Sequence, residues 1–184
     1  MPFRFSPLSI PEVILIEPKI FSDERGIFFE NFKVSNFTDN GIDTKFLQDN
    51  FSQSTKNVIR GLHFQIPPKA QAKLVSALKG EILDIAVDIR KNSLTYGKWI
   101  SQILSENNHK SLYIPEGFAH GFCVLSEKAS VLYKVSQEFS SEHERGINWC
   151  DSDLKIPWSI EKPIISKKDS VLPFLKNIDS YFVY

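Results

Sequence analysis

The chain is poor in several residue types that other functions need. Its 184 residues hold two cysteines, too few for a disulfide framework. Cys123 lies in the apolar run GFCVL and reads as a small core residue, so a bridge to Cys150 is the less favoured reading. There is no excess of either charge: 22 Lys and Arg face 22 Asp and Glu. Without a basic run, nucleic acid is not an expected partner, and any anion must be met by a few placed side chains. No apolar run is long enough to span a bilayer. The start MPFRFSPLSI, with one Arg and two Pro, does not read as a leader. These absences lead to the expectation of a cytoplasmic, reduced protein with no membrane partner. No repeat, low-complexity tract or flexible linker breaks the chain, so one domain over residues 1–184 is expected.

What is present is a core and a pattern. The composition is 42% hydrophobic and 24% charged, enough to bury a core and remain soluble. The pattern is mostly of period two. Leu83, Ile85, Val87 and Ile89 alternate with Ile82, Asp84, Ala86 and Asp88, which predicts a strand with one fully apolar face. Val131, Tyr133 and Val135 alternate with Leu132 and Lys134. Further strands are expected at Val13 to Ile16, Gly26 to Phe32, Lys73 to Leu78, Trp99 to Leu104, Ser111 to Ile114 and Gly121 to Leu125. Turn signals separate them, among them Lys79-Gly80, Lys91-Asn92-Ser93 and Pro115-Glu116-Gly117. Short strands at regular spacing argue for an antiparallel sandwich or barrel. Helix is scarce: one short helix over Ser35 to Asn40, closed by Gly41, and a helical piece over Ser166 to Asn177 interrupted at Pro173. Fifteen Phe, five Tyr and three Trp suit a thick β core or an aromatic-lined cavity.

Four histidines are available. His109 and His143 sit in polar stretches and read as exposed turn residues. His63 and His120 lie in strand-like apolar sequence, where a buried His is most often a core residue satisfied by a neighbour. The stretch NVIRGLHFQ, Asn57 to Gln65, places Arg60 three residues before His63. On a regular strand the two would face opposite sides. A bulge at Gly61 would let them share one side. If the strands close into a barrel, Arg60, His63, Lys73, His120 and Tyr133 converge in one cationic cavity with a base and a phenol. That set suits an anionic ligand and proton transfer. The bland readings are a solvated strand end for Lys73 and a core phenol for Tyr133.

The stretch YIPEGFAHGF holds P-x-G-x-x-H from Pro115 to His120, which resembles the second motif of the cupin double-stranded β-helix. Metal cupins pair it with H-x-H and a Glu. The matching place here is His63-Phe64-Gln65, with no second His, and Gln is a poor transition-metal ligand. Two histidines with no adjacent carboxylate argue against a metal, and no cofactor is expected.

Taken together, EPKIFSDERGIFFE (17–30), FLQDNFSQS (46–54), NVIRGLHFQ, KGEILDIAVDIRKNSLTYGKW (79–99), LYIPEGFAHGF, LYK (132–134) and SKKD (166–169) resemble the dTDP-4-dehydrorhamnose 3,5-epimerases over nearly the whole chain. The resemblance implies an all-β fold, a metal-free cupin-type jelly roll with a few short helices, acting as a homodimer. It implies a substrate built from a nucleotide diphosphate and a 4-keto-6-deoxy sugar. The protons at C3 and C5, both beside the ketone, would be removed on one face and replaced on the other. His63 matches the base, Asp169 the carboxylate that orients it, Tyr133 the opposing acid, and Lys73 the cation at the ketone oxygen. Without the resemblance, Asp169 would read as a residue at a helix N-terminus. His120 matches a second His near the sugar. Arg25 and Arg60 match diphosphate-binding residues. Glu30, Gln48 and Asn50 match other contacts, though each could be an ordinary turn or strand-end residue. Phe21 and Phe28 match aromatics near the nucleoside, and part of the Phe21 to Glu30 segment is expected to reach the partner's site.

One position departs from the family. After LYK, where an aromatic is expected to stack on the base, Glu138 stands with Phe139 beside it. This leaves the nucleotide open. A C3-only epimerase on a related, CDP-linked sugar is the alternative, and a metal-dependent cupin oxygenase, a non-catalytic sugar-binding cupin and a sugar ketoisomerase are the rival classes.

Overall fold

The computed structural model describes residues 2–184. Its strands are β1 (Phe3–Pro7), β2 (Ile14–Pro18), β3 (Phe21–Asp23), β4 (Gly26–Phe28), β5 (Gln48–Thr55), β6 (Ile59–Gln65), β7 (Lys73–Lys79), β8 (Glu81–Asp88), β9 (Trp99–Ser105), β10 (Ser111–Ile114), β11 (Phe118–Val124), β12 (Lys128–Val135) and β13 (Glu144–Gly146). Six of them form one sheet in the order β1-β2-β10-β7-β12-β5, and five form a second, β13-β6-β11-β8-β9. The strands β3 and β4 form a separate hairpin. Every pairing within these sheets is antiparallel. The two large sheets face each other across an apolar core, the cupin-type jelly roll that the motifs led us to expect.

The apolar face expected of β8 is present, and its other face is buried as well. Ile82 and Ala86 pack between the sheets with Val75, Leu112, Phe122 and Val131. Ile85, Val87 and Ile89 point the other way, under a cover of Ile147, Leu154, Trp158 and Leu175. The C-terminal chain has little regular structure of its own, and it serves to bury the outer face of the five-stranded sheet. Asp84 shares the inward side of β8 with Ile82 and Ala86, so it is fully buried.

A third cluster lies outside the six-stranded sheet. The helix α1 (Val34–Thr38) sets Phe37 against Phe3 and Phe5, with ring centroids 5.6 and 5.2 Å away, and Ile16 and Leu74 complete the contact. Gly41, at φ +80°, follows it as expected. The Ser166 to Asn177 segment is not α-helical. It makes two 3-10 turns, Asp169–Val171 and Leu175–Asn177. Leu172 turns extended between them, because a residue before proline disfavours the helical region. The expected Gly26 to Phe32 strand stops at Phe28. Four strands, β1, β3, β5 and β13, lie where none was expected from the pattern. Among the described residues no helix is long and apolar enough to cross a membrane.

Candidate active site

A cavity of about 470 Å³ opens where β6 and β11 of one sheet face β7 and β12 of the other. Arg60, His63, Lys73, His120, Tyr133 and Asp169 line it, with Val58, Phe122, Ile164 and Ile165 as its apolar wall. An adjoining recess of about 270 Å³ shares His63, Lys73 and Tyr133 and adds Gln48, Asn50, Phe139 and Glu144. The first volume lies within the range that holds a small-molecule ligand.

The bulge at Gly61 brings Arg60 and His63 together. His63 pairs with His120 and Arg60 with Phe122, so three steps along β6 match two along β11. Ile59, Leu62 and Phe64 then pack into the outer cluster, while Arg60 and His63 both face the cavity. Gly61 adopts φ +102°, and a Cβ there would lie 2.5 Å from the His120 carbonyl oxygen. Only glycine fits both demands.

His63 Nε2 lies 2.7 Å from Asp169 Oδ1. With a proton shared on that side, the basic lone pair of the ring is on Nδ1. Asp169 is itself held: its Oδ2 accepts from Gly61 N at 3.3 Å, and its own N–H donates to Ser166 Oγ at 3.0 Å. Burial alone would raise the Asp169 carboxyl, but the bond and charge of His63, together with the bonds to Gly61 and Ser166, outweigh it, and the net direction is down. Asp169 does begin a 3-10 turn, and it bonds His63 from that position.

His120, directly across from His63, is buried, and its Nε2 lies 2.7 Å from Asp84 Oδ1. Burial pushes the His120 pKa down, against the pull of Asp84. Thus His63 has beside it the carboxylate that the resemblance implied, and His120 has one, Asp84, that was not expected. Among the described residues, however, no three His, Cys, Asp or Glu side chains gather as a metal site would require.

Lys73 is buried, not a solvated strand end, and its Nζ donates to the His63 carbonyl at 3.2 Å. Burial brings its pKa down to about 8, although the charges of Asp84 and Glu144 resist this. Tyr133 is half-buried, and burial raises its pKa, so the phenol keeps its proton at neutral pH. His63 and Tyr133 come from opposite sheets and line the same space.

The remaining expected residues divide into two groups. Arg60 keeps an exposed head and donates from Nε to Ser54 Oγ at 2.9 Å. Gln48 donates to Asn50 at 2.7 Å, and both line the recess. Phe21, Arg25, Phe28 and Glu30 are not part of this chain's cavity. The first three lie on the exposed β3–β4 hairpin, where Arg25 bonds Asp23, and Glu30 follows it near Lys33.

Several residues were missed. Asp84 could have been noticed as an acid between Ile82 and Ala86 on the inward side of the strand. Glu144 and Lys168, an ion pair at the rim, carry no local signal. Phe139 lines the recess while Glu138 is exposed, with only its carbonyl engaged, by Gln65. Gln65 acts as a bracket between loops, bonding Lys69 O and Ser140 N as well. His109 and His143 are half-buried rather than exposed: His109 packs on Phe29 at 4.8 Å, and His143 bonds Ser140. Both cysteines are free, Cys123 in the core and Cys150 at the surface.

Residues 7–177 match the family described as dTDP-4-dehydrorhamnose 3,5-epimerase. The chain is 52% identical over 161 residues to a dTDP-4-dehydrorhamnose 3,5-epimerase of Shigella flexneri, covering 87% of this chain and 89% of that one. It superimposes with a TM-score of 0.95 on the dTDP-6-deoxy-D-glucose 3,5-epimerase of Legionella pneumophila, solved with dTDP-4-keto-L-rhamnose. Identity there is 43%, with 99% and 98% of the two chains covered. A dTDP-4-dehydrorhamnose 3-epimerase of Streptomyces niveus is 35% identical over 167 residues, 90% of this chain and 81% of that one.

Proposed function

Because the chain belongs to the dTDP-4-dehydrorhamnose 3,5-epimerase family, we propose that it inverts C3 and C5 of dTDP-4-dehydro-6-deoxyglucose by removing and returning the protons beside the ketone. The observation that carries this reading is the pairing across the cavity. A base oriented by a carboxylate, His63 with Asp169, stands on one sheet, and a protonated phenol, Tyr133, stands on the other. Inversion needs a base and an acid on opposite faces of the sugar. Lys73 supplies a cation to the oxygen that becomes negative as the enolate forms. His120, kept largely neutral by burial, bonds the sugar without adding a second charge.

Arg60 takes the diphosphate at the rim, where its exposed guanidinium has donors to spare. Gln48 and Asn50 hold the nucleoside end. Phe139, 57% exposed and lining the recess, offers the nucleobase a stacking face. Glu138 turns away from that recess, which removes the support its position gave to a different nucleotide. The hairpin carrying Phe21, Arg25 and Phe28, followed by Glu30, completes the site of a second copy, so the working unit is a homodimer in the cytoplasm. The exposed Phe21, Ile27 and Phe28 on this hairpin give such an arm an apolar surface to bury.

The test is product stereochemistry by NMR after incubation with dTDP-4-dehydro-6-deoxyglucose. Inversion at both carbons by the wild type, lost in Tyr133→Phe, is the expected result. Inversion at C3 alone would assign the chain to the C3-only reading, and full inversion by Tyr133→Phe would remove the phenol from the mechanism.

A further inference from the structure

Asp84 has no task in the chemistry above, yet it is fully buried beside His120, on the side of β8 that it shares with Ile82, Ala86 and Asp88; Asp88 is met by Arg90, Ser93 and Thr95, and Asp84 by His120 alone. One of its oxygens bonds His120, and the other, Oδ2, has no hydrogen-bond partner among the described residues. A carboxylate buried with half its bonding capacity unused costs stability. Nothing in the apolar packing of Ile82 and Ala86 on either side calls for an acid. The requirement is electrical.

Lys73 is a buried cation with other basic groups around it. His63 and Arg60 approach from β6, His120 from β11 and Lys168 from the C-terminal chain, while Tyr133 on β12 is neutral. The anions are Asp84 on β8, Glu144 on β13 and Asp169. Glu144 is bound to Lys168 and Asp169 to His63, so each is already engaged. Asp84 alone bonds a group that burial holds toward its neutral form. Of the two attractions that Lys73 feels, that of Asp84 is the larger.

We propose that Asp84 is a positioning residue that acts through its two neighbours: its uncompensated charge keeps the buried Lys73 ammonium protonated near neutral pH, and its Oδ1 fixes His120 with the proton on Nε2. The inference rests on the epimerase reading only for the consequence that this ammonium faces the ketone oxygen. Asp84→Asn preserves the acceptor for His120 and removes the charge.

Two readouts separate the claims. Competitive acetylation of Lys73 with acetic anhydride across pH, read by peptide mass spectrometry, reports its protonation without substrate. The pH profile of kcat/KM reports it through turnover. In Asp84→Asn both midpoints should fall by about one pH unit or more from the wild-type value near 8. The loss of turnover should then be about fivefold or more at the wild-type midpoint and smaller in mild acid. Unmoved midpoints in a folded variant would overturn the proposal, since a purely structural Asp84 would lower activity evenly. If the labelling midpoint falls while no form of the protein epimerises the sugar, the charge role stands and the functional reading fails. Should Asp84→Asn not fold, Lys73→Met with Asp84→Asn removes both buried charges together and should restore folding. A double variant as unfolded as the single one would overturn the proposal.

Discussion

Replacing Lys73 with Met should stabilise the protein while nearly abolishing turnover. The ammonium is buried, with the His63 carbonyl as its hydrogen-bond acceptor. Burial brings its pKa from 10.5 to about 8, net of the attraction of Asp84 and Glu144. At about 1.4 kcal/mol per tenfold change, folding with the charge in place costs about 3 kcal/mol. The sign follows from the folded value lying below the unfolded one. Below about pH 8 both states are protonated, and the cost is present in full. Between about 8 and 10.5 the folded state releases its proton first, so stability rises with pH. Above that window the cost is gone. Lys73→Met should therefore exceed the wild type by about 3 kcal/mol at neutral pH, and the excess should fade to nothing across the window. Its kcat/KM should drop roughly a hundred- to a thousandfold, as expected for loss of a donor to a developing oxyanion. Urea unfolding of both proteins, at one protein concentration because self-association couples to stability, gives the comparison. A Lys73→Met protein less stable than wild type at neutral pH, or a difference independent of pH, would show that the buried ammonium carries no such cost.

Asp169→Asn should lower kcat/KM by about 10²–10⁴-fold, because the base loses its orienting carboxylate. The Asp169 pKa is lowered in the fold, so its contribution to stability is in place above the ordinary value of 3.8 and is lost as acid titrates the folded carboxyl. Acid unfolding of Asp169→Asn should accordingly be the shallower of the two. Gly61→Ala should destabilise by about 2–3 kcal/mol in thermal or urea melts, with activity lost at the same time. The added Cβ would meet the His120 carbonyl at 2.5 Å, and the bulge that aims both Arg60 and His63 would have to shift. An active, stable Gly61→Ala protein would show that the bulge is not needed. Phe139→Ala should raise KM several-fold, about 1 kcal/mol of stacking, and leave kcat alone, whereas Glu138→Ala should change neither. The opposite pattern would mean that Glu138, not Phe139, meets the nucleotide.

Much of this site was legible in the sequence, because alternation is a property of chemistry as well as of packing. The bulge at Gly61 followed from the need for Arg60 and His63 to share a side, and the register of β6 against β11 has that form. The strand β5 was not legible for the complementary reason. Its sequence, QDNFSQST, has no apolar alternation, yet its exposure alternates along its length. Gln48 and Asn50 turn inward to a polar cavity, and hydrophobic periodicity is silent where the inner face is polar. Burial of β8 on both faces was hidden because the cover is a C-terminal chain without a repeating pattern. The partners of the histidines were half legible. Asp169 came through resemblance, while Asp84 was counted as part of an alternating strand. Pairings such as Lys168 with Glu144 depend on the fold alone.

The proposed chemistry begins with His63 removing protons from carbons beside a ketone, a step that solvent exchange reads without further assumptions: the protein is incubated in D2O with dTDP-4-dehydro-6-deoxyglucose, and C3 and C5 are read by NMR. Deuterium at both carbons, absent when His63 is replaced by Asn, is the predicted result. No deuterium at either carbon, or undiminished exchange in His63→Asn, would contradict the account.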